Sequence, residues 1–480
     1  MVSKHLNVVA VCVALSITSP LLAQGSGSAN RIRVDPQTRF QTIEGFGVNF
    51  TGPYFRHDQK AMFDMLIDDL GATIFRVVPY LVYSNWEVVN DNDDPNVMNW
   101  EYYNNRYSGP IFEPSWAAMR YLNSRGIRPM IALMGPVPDW MVDDKSGPPR
   151  HKVCTESGDK SQPSHLNPAM YDEFAEEVVS MAVYARTKAR IDFEYFSPFN
   201  ETDCYPAEGP RIDPQEVSKV LDAVARRLQK EGLGDLKLTV TDQALITNNY
   251  IGPILEDSEL MKQVGVFTFH TYGEDSVGPQ VERVKSSKYP QIPVWLTEYG
   301  DLNDRDKSAE NEWKQFSLAA NRRALTALNQ GASAVLFFDA FDDYEECARR
   351  LCYYGLFRSA DHIYSPKKRY YATRQLYHFV RPGSQRIAAT TDAPGLTISA
   401  FRNASTNSIV IVGVKEKSSN RVEIVVPRME EVPSTWELYE TTRNVDCLKV
   451  DTVAVRDGVA QIDLPDEAVF TLVGLWKKDE

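Results

Sequence analysis

Eight short apolar, β-branched runs recur along the chain, each followed by a longer charged stretch with helical periodicity. They lie at 45–50, 73–78, 128–134, 192–199, 236–241, 265–272, 293–298 and 334–338. The connecting segments include 170–189 and 214–230; in the second, Val217, Val220, Leu221, Val224 and Leu228 share one helical face. Runs that are apolar throughout belong to strands buried on both faces. Joining them through helices demands parallel pairing, because a tight turn cannot bring a parallel partner alongside. Eight such units predict an α/β fold of the (β/α)8 barrel type. A doubly wound sheet would favour a glycine-rich phosphate turn after its first strand, and Gly45-Phe46-Gly47 is too short and lacks the third glycine.

The pattern changes after Gly383. Short alternating strands at 396–401, 408–414, 421–426, 436–439, 459–464 and 469–476 are separated by turn-forming segments such as 403–407, 417–420 and Asp457-Gly458. They predict an all-β sandwich attached to the barrel. Residues 31–44 also alternate like a strand or two. At the start of the chain, Lys4 and His5 precede an apolar stretch from Val8 to Leu22, interrupted by Ser16, Thr18, Ser19 and Pro20 and followed by Ala23. Those flanks and interruptions suit a cleaved secretory signal better than a membrane anchor. The expected organisation is a signal at 1–23, a tether at 24–30 around Gly25-Ser26-Gly27-Ser28, and N-terminal strands at 31–44. The barrel follows at 45–382 and the sandwich at 383–478. No later segment is long and apolar enough to span a bilayer, so a secreted or periplasmic protein is expected.

Acidic residues outnumber basic ones, 65 against 52, for a formal net charge of -13. Such a chain repels nucleic acid and anionic membranes and suits a neutral partner such as a sugar polymer. Beyond Cys12, the five cysteines are an odd number spread over a large domain, which is no disulfide framework. Cys154 with Cys204, and Cys347 with Cys352, are the candidate bridges, and Cys447 is left over.

Two of the barrel runs end on a glutamate: Phe196-Ser197-Pro198-Phe199-Asn200-Glu201 in the fourth and Trp295-Leu296-Thr297-Glu298 in the seventh. The C-terminal ends of parallel barrel strands converge on the face where chemistry is built. A carboxylate pair there is the equipment for glycosidic cleavage, one group attacking the anomeric carbon and the other protonating the leaving oxygen. Asn200 adds an amide that could hold a sugar hydroxyl, and Arg76 could hydrogen-bond the Glu298 carboxylate and stabilise its charge. That negative charge would in turn raise the pKa of Glu201. His270 and Tyr272 end the sixth run, within reach of either glutamate or of a sugar. No histidine pair has metal-ligand spacing, and no Gly-x-Ser-x-Gly turn is present. The acidic stretch 342–350 lacks calcium-loop spacing and reads as a solvated loop. No cofactor is expected. Asn49, Asn200 and Asn403 fit the glycosylation pattern, which is common by chance.

These motifs resemble glycoside hydrolase family 30, among the retaining (β/α)8 glycosidases with acid/base and nucleophile on strands four and seven. The resemblance rests on Ile43-Glu44-Gly45-Phe46-Gly47, Arg76, Gly135-Pro136-Val137-Pro138-Asp139-Trp140-Met141, Ser197 to Glu201 and Trp295 to Glu298. It is most specific at 370–384 and continues through 459–474, so it covers nearly the whole mature chain. It implies Glu201 as acid/base, Glu298 as nucleophile, Trp140 as a sugar-stacking residue, and N-terminal strands packed into the side domain. The expected activity is retaining hydrolysis of a β-linked glycan: β-glucan, β-galactan or xylan. The alternatives are a carbohydrate-binding protein on a retired barrel and a transglycosylase using the same pair. Strand eight departs from the family, with Phe337-Phe338-Asp339 where a tryptophan is common, and the charged loop after it matches no subfamily.

Other aromatic residues in expected rim loops are Trp86, Tyr205, Tyr299, Phe341 and Tyr344, whereas Trp100, Trp116 and Trp313 suit helix packing and Trp436 and Trp476 the sandwich. The segments 84–114 and 143–163 decide between an open cleft and a closed pocket, hence between endo and exo action. Oligomeric state is not legible in the sequence.

Overall fold

A computed structural model of the chain describes residues 30–79, 87–143, 165–204, 208–345, 350–359, 362–416, 421–426 and 432–476. The signal, the tether up to residue 29, Cys154, Cys347, Trp86, Tyr205 and most of 143–163 lie outside the described residues. Strand β1 (Asn30–Thr42) leads into eight strands, β2 (Gly45–Thr51), β3 (Ile74–Val78), β4 (Met130–Ala132), β5 (Tyr195–Ser197), β6 (Lys237–Gln243), β7 (Val264–Thr271), β8 (Val294–Tyr299) and β9 (Ala334–Phe337). Each pairs in parallel with the next and β9 returns to β2, closing a barrel.

All eight expected runs are barrel strands, although β4 and β5 hydrogen-bond over three residues each. The helices used below are α1 (Trp100–Tyr107), α2 (Tyr171–Thr187), α3 (Val217–Lys230), α4 (Ala320–Asn329) and α5 (Lys368–Tyr377). The apolar face of α3, Val217, Val220, Leu221, Val224 and Leu228, is buried as the periodicity requires. Among the described residues no helix is long and apolar enough to cross a membrane.

The C-terminal sheet contains β10 (Gln385–Thr391), β11 (Leu396–Asn403), β12 (Ser408–Lys415), β13 (Arg421–Val425), β14 (Thr435–Thr441), β15 (Leu448–Ala454), β16 (Val459–Asp463) and β17 (Ala468–Leu475). Its order is β15-β14-β17-β12-β11-β10-β1-β13-β16. Trp436 and Leu438 from one end share a single apolar cluster with Val422, Ile424, Ala460 and Ile462 from the other, so the sheet folds over on itself as a sandwich. Strand β1 runs antiparallel to β10 and parallel to β13, which builds the start of the chain into this domain. Phe401, Val410, Val412, Val414 and Val469 face the other way and join the barrel's own core.

Several expectations are corrected. Tyr299 and Phe341 are core residues rather than rim aromatics: both are buried, and the Tyr299 hydroxyl is 3.1 Å from that of Tyr377. Asp342, in the stretch read as a solvated loop, is buried against Lys367. Cys352 and Cys447 are buried thiols outside any disulfide, so the Cys347–Cys352 bridge is not made. The Cys352 N–H is tied instead to the Asp343 carbonyl (2.7 Å). Cys204 is disulfide-bonded. Asn49, Asn200 and Asn403 are all buried, which removes them as glycosylation acceptors in the folded chain.

Candidate active site

Six of the eight barrel strands deliver polar side chains to one cluster at the C-terminal mouth. Its centre is Arg76 on β3, fully buried among acceptors from four other strands. Arg76 Nη1 donates to Glu298 Oε1 on β8 (2.5 Å) and Asn49 Oδ1 on β2 (3.1 Å). Its Nη2 donates to Asn200 Oδ1, just beyond β5 (2.7 Å), and to Asp242 Oδ2 on β6 (3.2 Å). A guanidinium only donates, so the Asn200 atom facing it is the carbonyl oxygen and the amide NH2 is left to donate elsewhere. Asn49 in turn donates to the Thr297 and Phe337 carbonyls (2.9 and 3.2 Å), fixing the orientation of the acceptor that Arg76 uses.

Asp242, like Asn49, is a residue of this cluster that the sequence reading missed. It is fully buried, accepts from Ser197 Oγ (2.7 Å) and Thr297 Oγ1 (2.6 Å), and lies 3.5 Å from His270 Nε2. The expected strand ended one residue earlier, at Thr241, so Asp242 fell just outside it. Its position directly after a barrel strand was the available signal. Asp242 and Glu201 both have positive φ, 46° and 34°, which non-glycine residues seldom adopt. The Glu201 N–H donates to the Asp242 carbonyl (2.9 Å), so the two strained backbones hold each other. Gly209 packs so closely on this turn that a Cβ there would fall 1.8 Å from the Asn200 carbonyl oxygen.

The two glutamates are brought together. One oxygen from each, with a ring nitrogen of His270, lie within 4.8 Å of one another. His270 Nδ1 is 2.6 Å from Glu201 Oε1 and 3.5 Å from Glu298 Oε2. The Tyr272 hydroxyl donates to Glu298 Oε2 (2.5 Å). Glu298 therefore receives donors on both oxygens, from Arg76 and Tyr272, while Glu201 meets only the histidine among the described contacts.

Burial raises the Glu201 carboxyl above its ordinary value; His270 opposes the rise, and the charges of Glu298 and Asp203 add to it. The expectation that Glu298 raises Glu201 holds in direction, but burial is the larger cause. For His270 burial works against charging the ring, yet Glu298, Asp242 and Glu201 outweigh it and raise the imidazolium to about 10. Asp242 is held far below the carboxylate range: burial resists ionisation, and Arg76, His270 and Thr297 overcome it. Burial, then the Glu298 charge, pushes the Tyr272 hydroxyl well above its usual range, so it remains a donor. Two cations, Arg76 and His270, thus lie among the carboxyl groups of Asp242, Glu298 and Glu201, with Asp242 shifted down and Glu201 shifted up.

Trp140 follows β4 and is partly buried; its Nε1 donates to the Glu87 carbonyl (3.2 Å), and none of its described contacts is with either glutamate. By spacing, Glu201, His270 and Glu298 match a metal-ligand set, as do His165, Asp213 and Glu216. In both sets donors already face the carboxylates: Arg76 and Tyr272 at Glu298, and Arg211 at Asp213 (2.9 and 2.8 Å). His165 lies between Asp143 (3.0 Å) and Glu216 (2.8 Å), an arrangement that no local histidine spacing could have revealed.

No protein-family model matches the sequence. Among solved structures, a glycoside hydrolase family 30 endoxylanase from Clostridium papyrosolvens aligns with a TM-score of 0.69 and 21% identity, covering 93% of this chain and 100% of its own. A family 30 subfamily 8 xylanase from Clostridium acetobutylicum gives 0.67 and 16%, with 92% and 99% covered. An endo-β1,6-glucanase gives 0.64 and 17%, with 94% and 96% covered. With over nine-tenths of each chain aligned, the likeness takes in barrel and sandwich together: the chain has the fold of these enzymes, a (β/α)8 barrel carrying a β-sandwich.

Proposed function

We propose that the protein is a retaining β-glycoside hydrolase of family 30 or a close relative, acting on a β-linked glycan. One observation carries the proposal: the oxygens of two buried carboxyls lie within 4.8 Å on the C-terminal face of a parallel barrel, one with cationic and hydroxyl donors on both oxygens and the other poised as an acid. Retaining enzymes hold their carboxyl groups about 5 Å apart, whereas inverting ones leave room for an intervening water.

In the first step Glu298 attacks the anomeric carbon, the bond to the leaving oxygen breaks, and Glu201 passes its proton to that oxygen. In the second, the Glu201 carboxylate takes a proton from water as the hydroxide attacks the same carbon, and Glu298 departs. Arg76 and Tyr272 orient the Glu298 carboxylate and accept its return as a charged leaving group. The freed amide NH2 of Asn200 suits the sugar 2-hydroxyl, a contact that strengthens in an oxocarbenium-like transition state. The substrate class is β-glucan, β-galactan or xylan; solved structures of the same fold described as xylanases and an endo-β1,6-glucanase support xylan and β-glucan within it. Export is part of the proposal, supported by residues 4–23 and by the disulfide at Cys204, which belongs in an oxidising compartment.

A polysaccharide panel with sized products identifies the glycan. On that substrate Glu201→Ala is expected to lose about 10²–10⁴-fold in kcat, and Glu298→Ala at least as much, with folding retained. Azide should rescue Glu298→Ala as a glycosyl azide of inverted configuration. Wild-type turnover in either variant would sink the assignment.

A further inference from the structure

Glu201 stands on a backbone that needs outside support. Its φ of 34° and the 46° of Asp242 persist only where the surroundings over-determine them. Two backbone bonds anchor the Glu201 turn: the Glu201 N–H donates to the Asp242 carbonyl (2.9 Å), and the Cys204 N–H donates to the Glu201 carbonyl (2.7 Å). Between them, Asp203 reaches across to the turn that follows β6. Its Oδ1 accepts from the Ala244 N–H (3.0 Å), and its Oδ2 accepts from the Leu245 N–H and from Asn248 Nδ2 (both 3.0 Å).

The receiving turn is held in shape from below. Gln243, fully buried, donates through Nε2 to the Leu245 and Asn248 carbonyls (2.6 and 3.0 Å), while its Oε1 accepts from Thr241 Oγ1 (2.7 Å). The Asn248 N–H closes the turn on the Leu245 carbonyl (3.0 Å). Three donors therefore converge on one point. A carboxylate accepts from all of them, whereas an amide would turn its NH2 against at least one. Hydrogen bonds thus run both ways between the two turns. The β6 side also carries Asp242, which faces Arg76 and His270, so the clamp keeps Glu201 in register with both cations.

We propose that Asp203 is a positioning residue for the acid/base step, its carboxylate locking the Glu201 turn onto the turn after β6. The proposal rests on the reading of Glu201 as the acid. Asp203 acts through Glu201, by fixing where that carboxyl stands and by adding a negative charge that favours its protonated form. Of the charged groups facing Glu201, His270 from β7 opposes that form, while Glu298 from β8 and Asp203 from the turn itself support it. Tyr272 stays a neutral donor, and Asp242 meets Glu201 through its backbone carbonyl. Burial raises the Asp203 carboxyl, and its three donors oppose the rise. Among the described residues it has donors but no ion-pair partner, so no cation cancels its charge.

The test compares full-length wild type, Glu201→Ala and Asp203→Ala on two substrates. One is the glycan that the polysaccharide panel identifies; the other is the dinitrophenyl β-glycoside of its released product, whose leaving group departs without a proton. On the glycan Asp203→Ala should lose about tenfold or more in kcat/KM, part of the roughly 10²–10⁴-fold that acid catalysis supplies. On the dinitrophenyl glycoside the loss should be much smaller. Equal losses on both would reveal general structural damage and overturn the proposal. Asp203→Asn keeps the shape without the charge, so the alkaline limb of kcat/KM should move to lower pH; Asp203→Glu keeps the charge and should leave the limb in place. An unmoved limb in Asp203→Asn would also overturn the proposal, and that variant serves as the test if Asp203→Ala fails to fold. Full activity of Glu201→Ala on the glycan would mean that the hydrolase reading has failed. If Glu201→Ala is inactive there while both Asp203→Ala and Asp203→Asn match wild type, only the role of Asp203 falls.

Discussion

His270 sits between three carboxyl groups, and its charge and hydrogen bond hold down the proton affinity of Glu201. A cationic neighbour lowers a carboxyl's pKa, so removing it must raise Glu201 further. With Glu201 as the proposed acid, the alkaline limb of kcat/KM is expected to follow loss of its proton. In His270→Gln that limb should therefore move to higher pH than in wild type, even if kcat falls; a move to lower pH would contradict the proposed acid. At this scale the sequence was informative where chemistry and strand ends coincide. Glu201, Glu298, Arg76, Asn200, His270 and Tyr272 were all legible, and all fall in one cluster. Asp242 and Asn49 were not, because their roles depend on Arg76 arriving from another strand. Asn49 even resembled a glycosylation acceptor until its amide was found bonded to two carbonyls across the barrel.

The segment from Glu87 through α1 rests on an unusually acidic face of α2. Glu173, Glu176 and Glu177 are all buried there, opposite Glu87 and Asp91, with Arg106 and Arg227 as the cations in reach. The Glu87 carboxyl accepts from Tyr103 (2.8 Å) and from the Asp91 N–H (3.1 Å), yet burial raises it to about 8. Burial likewise raises Glu176 to about 8, against the pull of Arg227, and lifts Glu177 well above its ordinary value. A carboxyl raised on folding binds its proton more tightly folded than unfolded. Its contribution is complete below the ordinary value of 4.5 and is lost as pH climbs through about 8. Hydrogen exchange across 87–107 should therefore quicken between pH 5 and pH 9 beyond the intrinsic rate, and Glu177→Gln should flatten that rise. Protection that grows with pH would refute it. Because the Glu87 carbonyl holds the Trp140 indole, the same opening would loosen that aromatic residue. At the element scale, periodicity found every barrel strand and failed in the sandwich at β10 and β15. Strand β15 has no buried residue to create an alternation; hydrogen bonding to β14 alone makes it a strand.

Barrel and sandwich share structure at both levels of interaction. The α5 Gln375 carbonyl accepts from Thr471 (2.6 Å), its side chain donates to Thr441 (2.9 Å), and α4 Asn329 donates to the Ile398 carbonyl (2.8 Å). Glu467 accepts from the Trp313 indole (3.1 Å) and also pairs with Lys314 and Arg443. With five sandwich residues counted in the barrel's own core, the two should unfold together. Calorimetry of the full-length protein is expected to show one transition, and a chain truncated at 382 should lack cooperative melting. Two well-separated transitions would show that the sandwich is an independent appendage. The sequence marked a change of architecture near 383, because alternation replaces helical periodicity there. It could not show how much apolar surface the two halves bury against each other.

The placement of β1 has a consequence in time. Arg31 on this strand pairs with Glu423, 392 residues further along. At ribosomal speeds of 5–20 residues per second that gap lasts roughly 20–80 s. For most of it neither neighbour of β1 has been synthesised, since β10 begins only at Gln385, and an unclaimed strand edge invites pairing with another nascent chain. The alternate positions Arg31, Arg33 and Asp35 are charged, which makes such pairing unfavourable. The first strand to leave the ribosome is thus among the last to be sealed, and the sandwich cannot close until almost the whole chain has been made.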